Sequence, residues 1–239
     1  MAFDAQTPST LFVAFADPPP DRDAEFNEWY DTIHGPDALA NGSFTAMHRF
    51  RAVGDGHRAA PYLALWEGRF TSESEAWAYI GPRAQALREA GRAGDISSVR
   101  FALMLFRAAN PRGSRCEPVR AITTVQNDWR DVAGAPGAQA WWDATGLDAI
   151  DAPARWLVTS DATGRGAGYH LAVFAHDRDA AEVAATSGTA GIAAAGMSPL
   201  PPYETIFGST AGDDLDDRPA PEPAPAWLTR WEPITSLRA

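Results

Sequence analysis

A histidine and a tyrosine four residues apart, His34 and Tyr30, have the types and the spacing to move a proton. They lie in the stretch Glu25-Phe26-Asn27-Glu28-Trp29-Tyr30-Asp31-Thr32-Ile33-His34-Gly35-Pro36-Asp37-Ala38-Leu39. An unperturbed imidazole titrates near neutral pH, which makes His34 the first candidate for general acid or base. Tyr30 sits one helical turn earlier on the same flank and can donate a hydrogen bond to a substrate oxygen. Asn27, a further turn back, can polarise a carbonyl or simply cap solvent. His48 shares a strand face with Phe44 and Phe50 and is a further acid–base candidate, although a histidine on an apolar strand face is more often a satisfied core residue. Tyr62 and Trp66 alternate onto one face of the neighbouring strand and would extend an aromatic wall beside Phe44. His34, Tyr30 and His48 are thus the candidate catalytic groups, with Asn27, Phe44, Tyr62 and Trp66 as candidate substrate contacts. Arg49 and Arg51 face away from His48 and are expected to be solvated, unless one of them binds a substrate carboxylate.

Other chemistries are disfavoured by what the chain lacks. It contains no lysine, because all 20 basic residues are arginine. A lysine Schiff base and a Walker-type phosphate loop are therefore excluded. Gly-x-Ser-x-Gly is absent, so a serine-hydrolase elbow is not expected. Gly164-Arg165-Gly166-Ala167-Gly168 lies between two strands and opens no helix, unlike a dinucleotide fingerprint. Asp31, His34 and Asp37 lose helical register at Pro36, no Cys/His cluster has zinc spacing, and no metal or cofactor is expected. The net charge of −11 argues against nucleic acid as a partner. No apolar run is long enough to span a membrane, Met1 to Thr10 lacks signal-peptide character, and the single cysteine, Cys116, fits a reducing cytoplasm.

The elements that must position these groups follow from periodicity. Phe26, Trp29 and Ile33 recur at helical spacing, and Gly35-Pro36 is read as the helix stop, which would place His34 in a last turn whose dipole favours the imidazolium. Leu11 to Ala16 is a short buried strand. Phe44 to Val53 alternates, Gly54-Asp55-Gly56 turns, and Tyr62 to Glu67 returns as the hairpin partner. Ser72 and Glu75 have capping-box spacing for a helix running to about Gly91. Val99 to Arg107 is a last apolar strand. This order is βαββαβ, a ferredoxin-like unit over residues 1–110.

After a linker at Asn110 to Ser114 the order starts again in residues 117–210. Strands are expected at 119–125, 154–159, 169–175 and 203–207, with helices at 138–150 and 179–197. Trp141-Trp142-Asp143 corresponds to Trp29-Tyr30-Asp31, while Gly146 stands at the offset of His34. A histidine needed only for packing would be expected in both copies, so its loss from the second favours function for the first. Residues 211–239 read as an acidic, proline-rich tail, free or docked through Trp227 and Trp231, that contributes no core.

The motif from Glu25 to Pro36, followed by strands like Phe44 to Arg51 and Tyr62 to Glu67, resembles the dimeric α/β-barrel superfamily, in particular its EthD-like members. The resemblance covers about 100 residues, Leu11 to Ala108, and implies an α+β fold in which two ferredoxin-like units join their sheets into a barrel. Here one chain could supply both, as a monomer with a pseudo-dimeric barrel or as a homodimer of these. The superfamily includes dehydratases, decarboxylases, cyclases, isomerases and cofactor-free monooxygenases. The expected activity is a cofactor-independent lyase or isomerase using His34 on a small oxygenated substrate, aromatic or polyketide-like. A cofactor-free monooxygenase and a non-catalytic small-ligand-binding protein are the alternatives.

Overall fold

The computed structural model describes residues 3–4, 10–53, 61–93, 100–113, 115–128, 138–159, 169–186 and 227–238. Its first unit contains β2 (Thr10–Asp17), α1 (Asp23–Trp29), a π-helical turn (Tyr30–His34), α2 (Gly35–Ala40), β3 (Ala46–Ala52), β4 (Tyr62–Gly68), α3 (Glu73–Glu89) and β5 (Arg100–Gly113). The second contains β7 (Ala121–Asp128), α4 (Ala138–Thr145), β8 (Ala154–Thr159), β9 (Tyr169–His176), α5 (Ala180–Thr186) and β10 (Trp227–Arg238). Two short strands, β1 (Phe3–Asp4) and β6 (Arg115–Cys116), pair with each other outside this scheme.

The remaining eight strands close into a barrel in the order β10-β3-β4-β2-β5-β8-β9-β7. In each unit the second, third, first and fourth strands lie side by side, which is the ferredoxin-like arrangement. The fourth strand of each unit pairs with the second strand of the other, β5 with β8 and β10 with β3. The two sheets thereby cover each other's edges inside one chain. The α+β fold expected from the sequence is the one observed.

Strand alternation sorts the side chains into two layers. Phe12, Ala14, Met47, Ala64 and Trp66 pack against Phe26, Tyr30, Leu39 and Ile80 of the helices. Leu11, Val13, Phe50, Leu63 and Leu65 are buried as well and alternate with them, so they face the barrel interior. With both faces covered, β4 is buried along its whole length. In the second unit Trp141 and Trp142 pack with Val125, Leu147, Ala172 and Phe174.

Three local expectations are corrected. Gly35-Pro36 does not stop the first helix, because the fixed φ of Pro36 suits the opening turn of α2, which follows the π turn directly. A linker was expected at Asn110 to Ser114, but residues 110–113 are the end of β5, which crosses to pair with β8 through a register shift between Ala109 and Arg112. That irregularity accommodates Pro111 without a ladder N–H. Finally, the C-terminal segment is not a tail without core. Trp227–Arg238 is the strand that closes the barrel, pairing with β7 over Trp227 to Trp231 and with β3 over Trp231 to Arg238. Its apolar and β-branched residues, Trp231, Ile234, Thr235 and Leu237, are those of a strand. The expected strand at 203–207, the turn at Gly54 to Gly56 and the glycine loop at 164–168 lie outside the described residues.

Candidate functional site

The helical run from Asp23 to Ala40 changes pitch at Tyr30–His34, where Gly35 N–H donates to the Tyr30 carbonyl in a π-type bond. Such single-turn widenings bring in one extra residue and re-aim side chains, and they recur at functional sites. Here the turn stacks three aromatic groups around the imidazole of His34. Trp29 lies face to face with it at 4.6 Å between ring centroids. Tyr30 and Trp66 meet it edge-on at 4.9 Å and 5.4 Å. Gly35 is required beside this cage, because a Cβ there would stand 2.7 Å from Met47 Cε and 3.0 Å from the Tyr30 carbonyl oxygen.

Burial among these rings pushes His34 down to about 4, with Asp37 acting upward and Arg49 acting downward. The imidazole is therefore neutral at physiological pH. This corrects the expectation of an imidazolium stabilised by a helix C-terminus: the helix continues past His34, so no such terminus exists there. Tyr30 is 2 % exposed and burial pushes its phenol up to about 12, against the lowering effect of Arg49. The Trp66 indole N–H acts on the Tyr30 oxygen but closes no hydrogen bond of normal geometry, leaving a buried donor in the cage without an acceptor. Neither ring nitrogen of His34 is hydrogen-bonded among the described residues, in contrast to His48 and His176. The cage thus offers a neutral base, a protonated phenol and an unengaged N–H donor within one cluster.

Arg49 is the residue that sequence reasoning misplaced. It is 1 % exposed, and its guanidinium lies 4.4 Å from the centre of the Tyr30 ring. Nη1 donates to Asp31 Oδ1 at 2.5 Å and Nη2 to Asn27 Oδ1 at 2.6 Å. Asp31 also accepts from Thr235 Oγ1 at 3.0 Å, which ties the last strand to the first helix. A buried cation is tolerable only with such partners. The signal lay in the hairpin register. Arg49 stands opposite Ala64 and lies two residues from Met47, so it shares the helix-facing layer, and Ala64 leaves room for it.

The expected site residues separate into three groups. His34, Tyr30 and Trp66 come together, with Phe44 packed behind Trp66 at 4.9 Å. Asn27 and Tyr62 belong to a supporting network: Asn27 Nδ2 donates to the Tyr62 hydroxyl at 3.0 Å, and that hydroxyl donates to Asp23 Oδ1 at 2.8 Å. His48 is not in the cage. It alternates with Met47 and Arg49, so it faces the barrel interior, where both its nitrogens are engaged by Ser236 and Glu67.

Asp31 and Asp37 do not join His34 as metal ligands, since they pair with Arg49 and Arg92. Among the described residues no three His, Cys, Asp or Glu side chains are placed to hold a metal ion. In the second unit Gly146 adopts a left-handed conformation, φ +65°, and ends α4 where the first unit widens into its π turn. Gly146 itself supplies no imidazole at that offset.

The fold is an eight-stranded barrel closed by two ferredoxin-like sheets. Over the whole chain it is similar to the crystal structure of an anthrone oxidase-like protein, with a TM-score of 0.56, 12% identity and 96% of that chain covered. It is also similar to a provisionally assigned monooxygenase from Fusobacterium nucleatum, with a TM-score of 0.51 and 6% identity, over 96% of this chain and 94% of that one. At these identities the likeness establishes the fold alone. No protein-family model matches the chain, and no curated protein matches its sequence.

Proposed function

We propose that this chain is a base-dependent enzyme that deprotonates a small, enolisable aromatic or polyketide-like substrate and passes the resulting carbanion to dioxygen. The observation that carries the reading is the neutral imidazole of His34, without a hydrogen bond among the described residues, set beside two donors, Tyr30 and Trp66. His34 takes the proton from carbon. The negative charge that develops on the conjugated oxygen is met by the Tyr30 hydroxyl and the Trp66 N–H, with Arg49 contributing its charge from behind the Tyr30 ring. The aromatic faces of Trp29 and Trp66 suit a flat substrate.

The same first step would serve a lyase or an isomerase, but those reactions also need an acid to protonate a departing hydroxyl or a second carbon. Once His34 has taken the proton, its imidazolium is the acid available for that purpose. The oxygenation reading is further supported by the names of the two similar structures. For an anthrone-type methylene the overall change balances as CH2 + O2 → C=O + H2O.

Anthrone supplies a direct test. In D2O without oxygen, the protein should catalyse exchange of the methylene hydrogens, and with oxygen present it should consume one O2 per quinone formed. Exchange and uptake should both fall by ~10²–10⁴ in His34→Ala. Exchange without oxygen uptake would return the assignment to isomerase or lyase chemistry. Tight retention of anthrone with neither would make this a binding protein.

A further inference from the structure

On the interior face of β3, three polar side chains form a hydrogen-bonded chain that the deprotonation chemistry does not use. Ser236 is the direct cross-strand neighbour of His48, and Glu67 is its diagonal neighbour on β4. Ser236 Oγ lies 2.8 Å from His48 Nδ1, and Glu67 Oε1 lies 2.8 Å from His48 Nε2. The second carboxylate oxygen, Oε2, lies 3.8 Å from Nη1 of Arg238. In a neutral ring the acceptor Glu67 places the proton on Nε2, which leaves the Nδ1 lone pair toward the Ser236 hydroxyl. That is the tautomer of a general base poised on a serine.

Two features distinguish this chain from a polar pair buried for packing. His48 and Glu67 are enclosed, at 0 % and 6 % exposed, while Ser236 is open to solvent. The base and its orienting carboxylate are dry, and the candidate nucleophile is reachable. In addition, β10 pairs with β7 only up to Trp231, so among the described residues Glu232 to Arg238 pair with β3 alone. Among the described residues, the backbone N–H groups beside Ser236 that β3 does not take have no strand partner. Donors of that kind hold the oxyanion in acyl transfer.

We propose that Ser236, His48 and Glu67 form a second catalytic site, which hydrolyses small carboxylic esters through an acyl-serine. Ser236 Oγ attacks the ester carbonyl carbon while its proton passes to His48 Nδ1. The carbon–oxygen bond to the alcohol breaks, and the proton leaves with the alcohol. Water then attacks the acyl-serine, giving up a proton to His48 that returns to Oγ, and the carboxylic acid departs. Glu67 touches no reacting atom; it is a positioning residue that fixes the His48 tautomer.

The full chain should be treated with a fluorophosphonate probe and, separately, with p-nitrophenyl acetate. The expected result is a single phosphonyl adduct on the peptide Trp231–Arg238, which cleavage after Arg230 and Arg238 releases, at Ser236. Ser236→Ala, a change at an exposed position, should lose the adduct and slow ester turnover ~100-fold or more. Glu67→Gln should slow labelling and also shift the pH dependence of what remains, a shift that a purely structural carboxylate would not cause. A folded protein that takes no adduct at Ser236 overturns the proposal, as does a Ser236→Ala variant that hydrolyses the ester at the native rate. If Glu67→Gln does not fold, the Ser236→Ala result alone decides.

Discussion

The imidazole of His34 stays neutral at every pH above about 4, so it is a weak base at rest and strengthens only when negative charge forms beside it. Its neighbours set that balance in opposite senses. Asp37→Asn removes the influence that acts upward and should move the His34 titration further below its present value, as read by proton or nitrogen NMR of the ring. A rise toward 6.5 would mean that burial does not dominate. His34→Gln keeps the hydrogen-bonding capacity but cannot carry the proton, so it should lose activity nearly as fully as His34→Ala, on the order of 10²–10⁴. Both variants should fold normally, because this ring donates and accepts nothing that another described residue needs. At this scale much was legible in the sequence. The spacing of Tyr30 and His34 brought them together, and Trp66 fell on the face expected. Arg49 was misread as solvated because the face of a strand cannot be assigned to helix or barrel interior until the sheet's partners are known.

Helix geometry decides where His34 points. In the sequence Gly35-Pro36 has the look of a stop, and the physical reason it is not one is local: Pro36 begins a new α-helical turn directly after the π turn has absorbed the change of pitch. Element order in residues 1–110 could be read from alternation, whereas a π turn leaves no periodic mark over five residues. Gly35→Ala tests this element. The added methyl would drive into the end of the Met47 side chain and crowd the Tyr30 carbonyl. We expect a loss of about 1–3 kcal/mol by chemical denaturation. The double variant Gly35→Ala/Met47→Ala should lose less than the sum of the single changes, because the shorter side chain relieves the overlap. Strict additivity would show that the two residues do not touch.

The barrel as a whole depends on strands that cross between its halves, and its acid sensitivity follows from groups in both. His34 and His176 are each held near 4 chiefly by burial, below their ordinary 6.5. Between those values the unfolded chain binds more protons, so stability is full above about pH 6.5 and falls as the pH drops toward 4. The loss is up to about 3 kcal/mol per group. Urea midpoints should show this slope, and His34→Gln should reduce it; a midpoint flat from pH 7 to 4.5 would contradict it. Removing residues 227–238 should strip β3 and β7 of a partner and give an aggregating chain without cooperative unfolding. Residues 1–110 alone would leave the edges of β3 and β5 open and should self-associate. A stable monomer from either truncation would count against closure within one chain. The closing strand was the least legible part of the fold, because its acidic and proline-rich approach resembles a disordered tail.

That last strand also sets a clock on the protein's birth. Thr235 braces Asp31 and Ser236 meets His48, so residues near the end of the chain complete networks begin near its start. A ribosome adds roughly 5–20 residues each second. For many seconds, then, the nascent polypeptide holds every residue of the aromatic cage but not the strand that seals it. A chain truncated before residue 227 would hold the cage residues yet could not close the barrel, and proteases would meet it open.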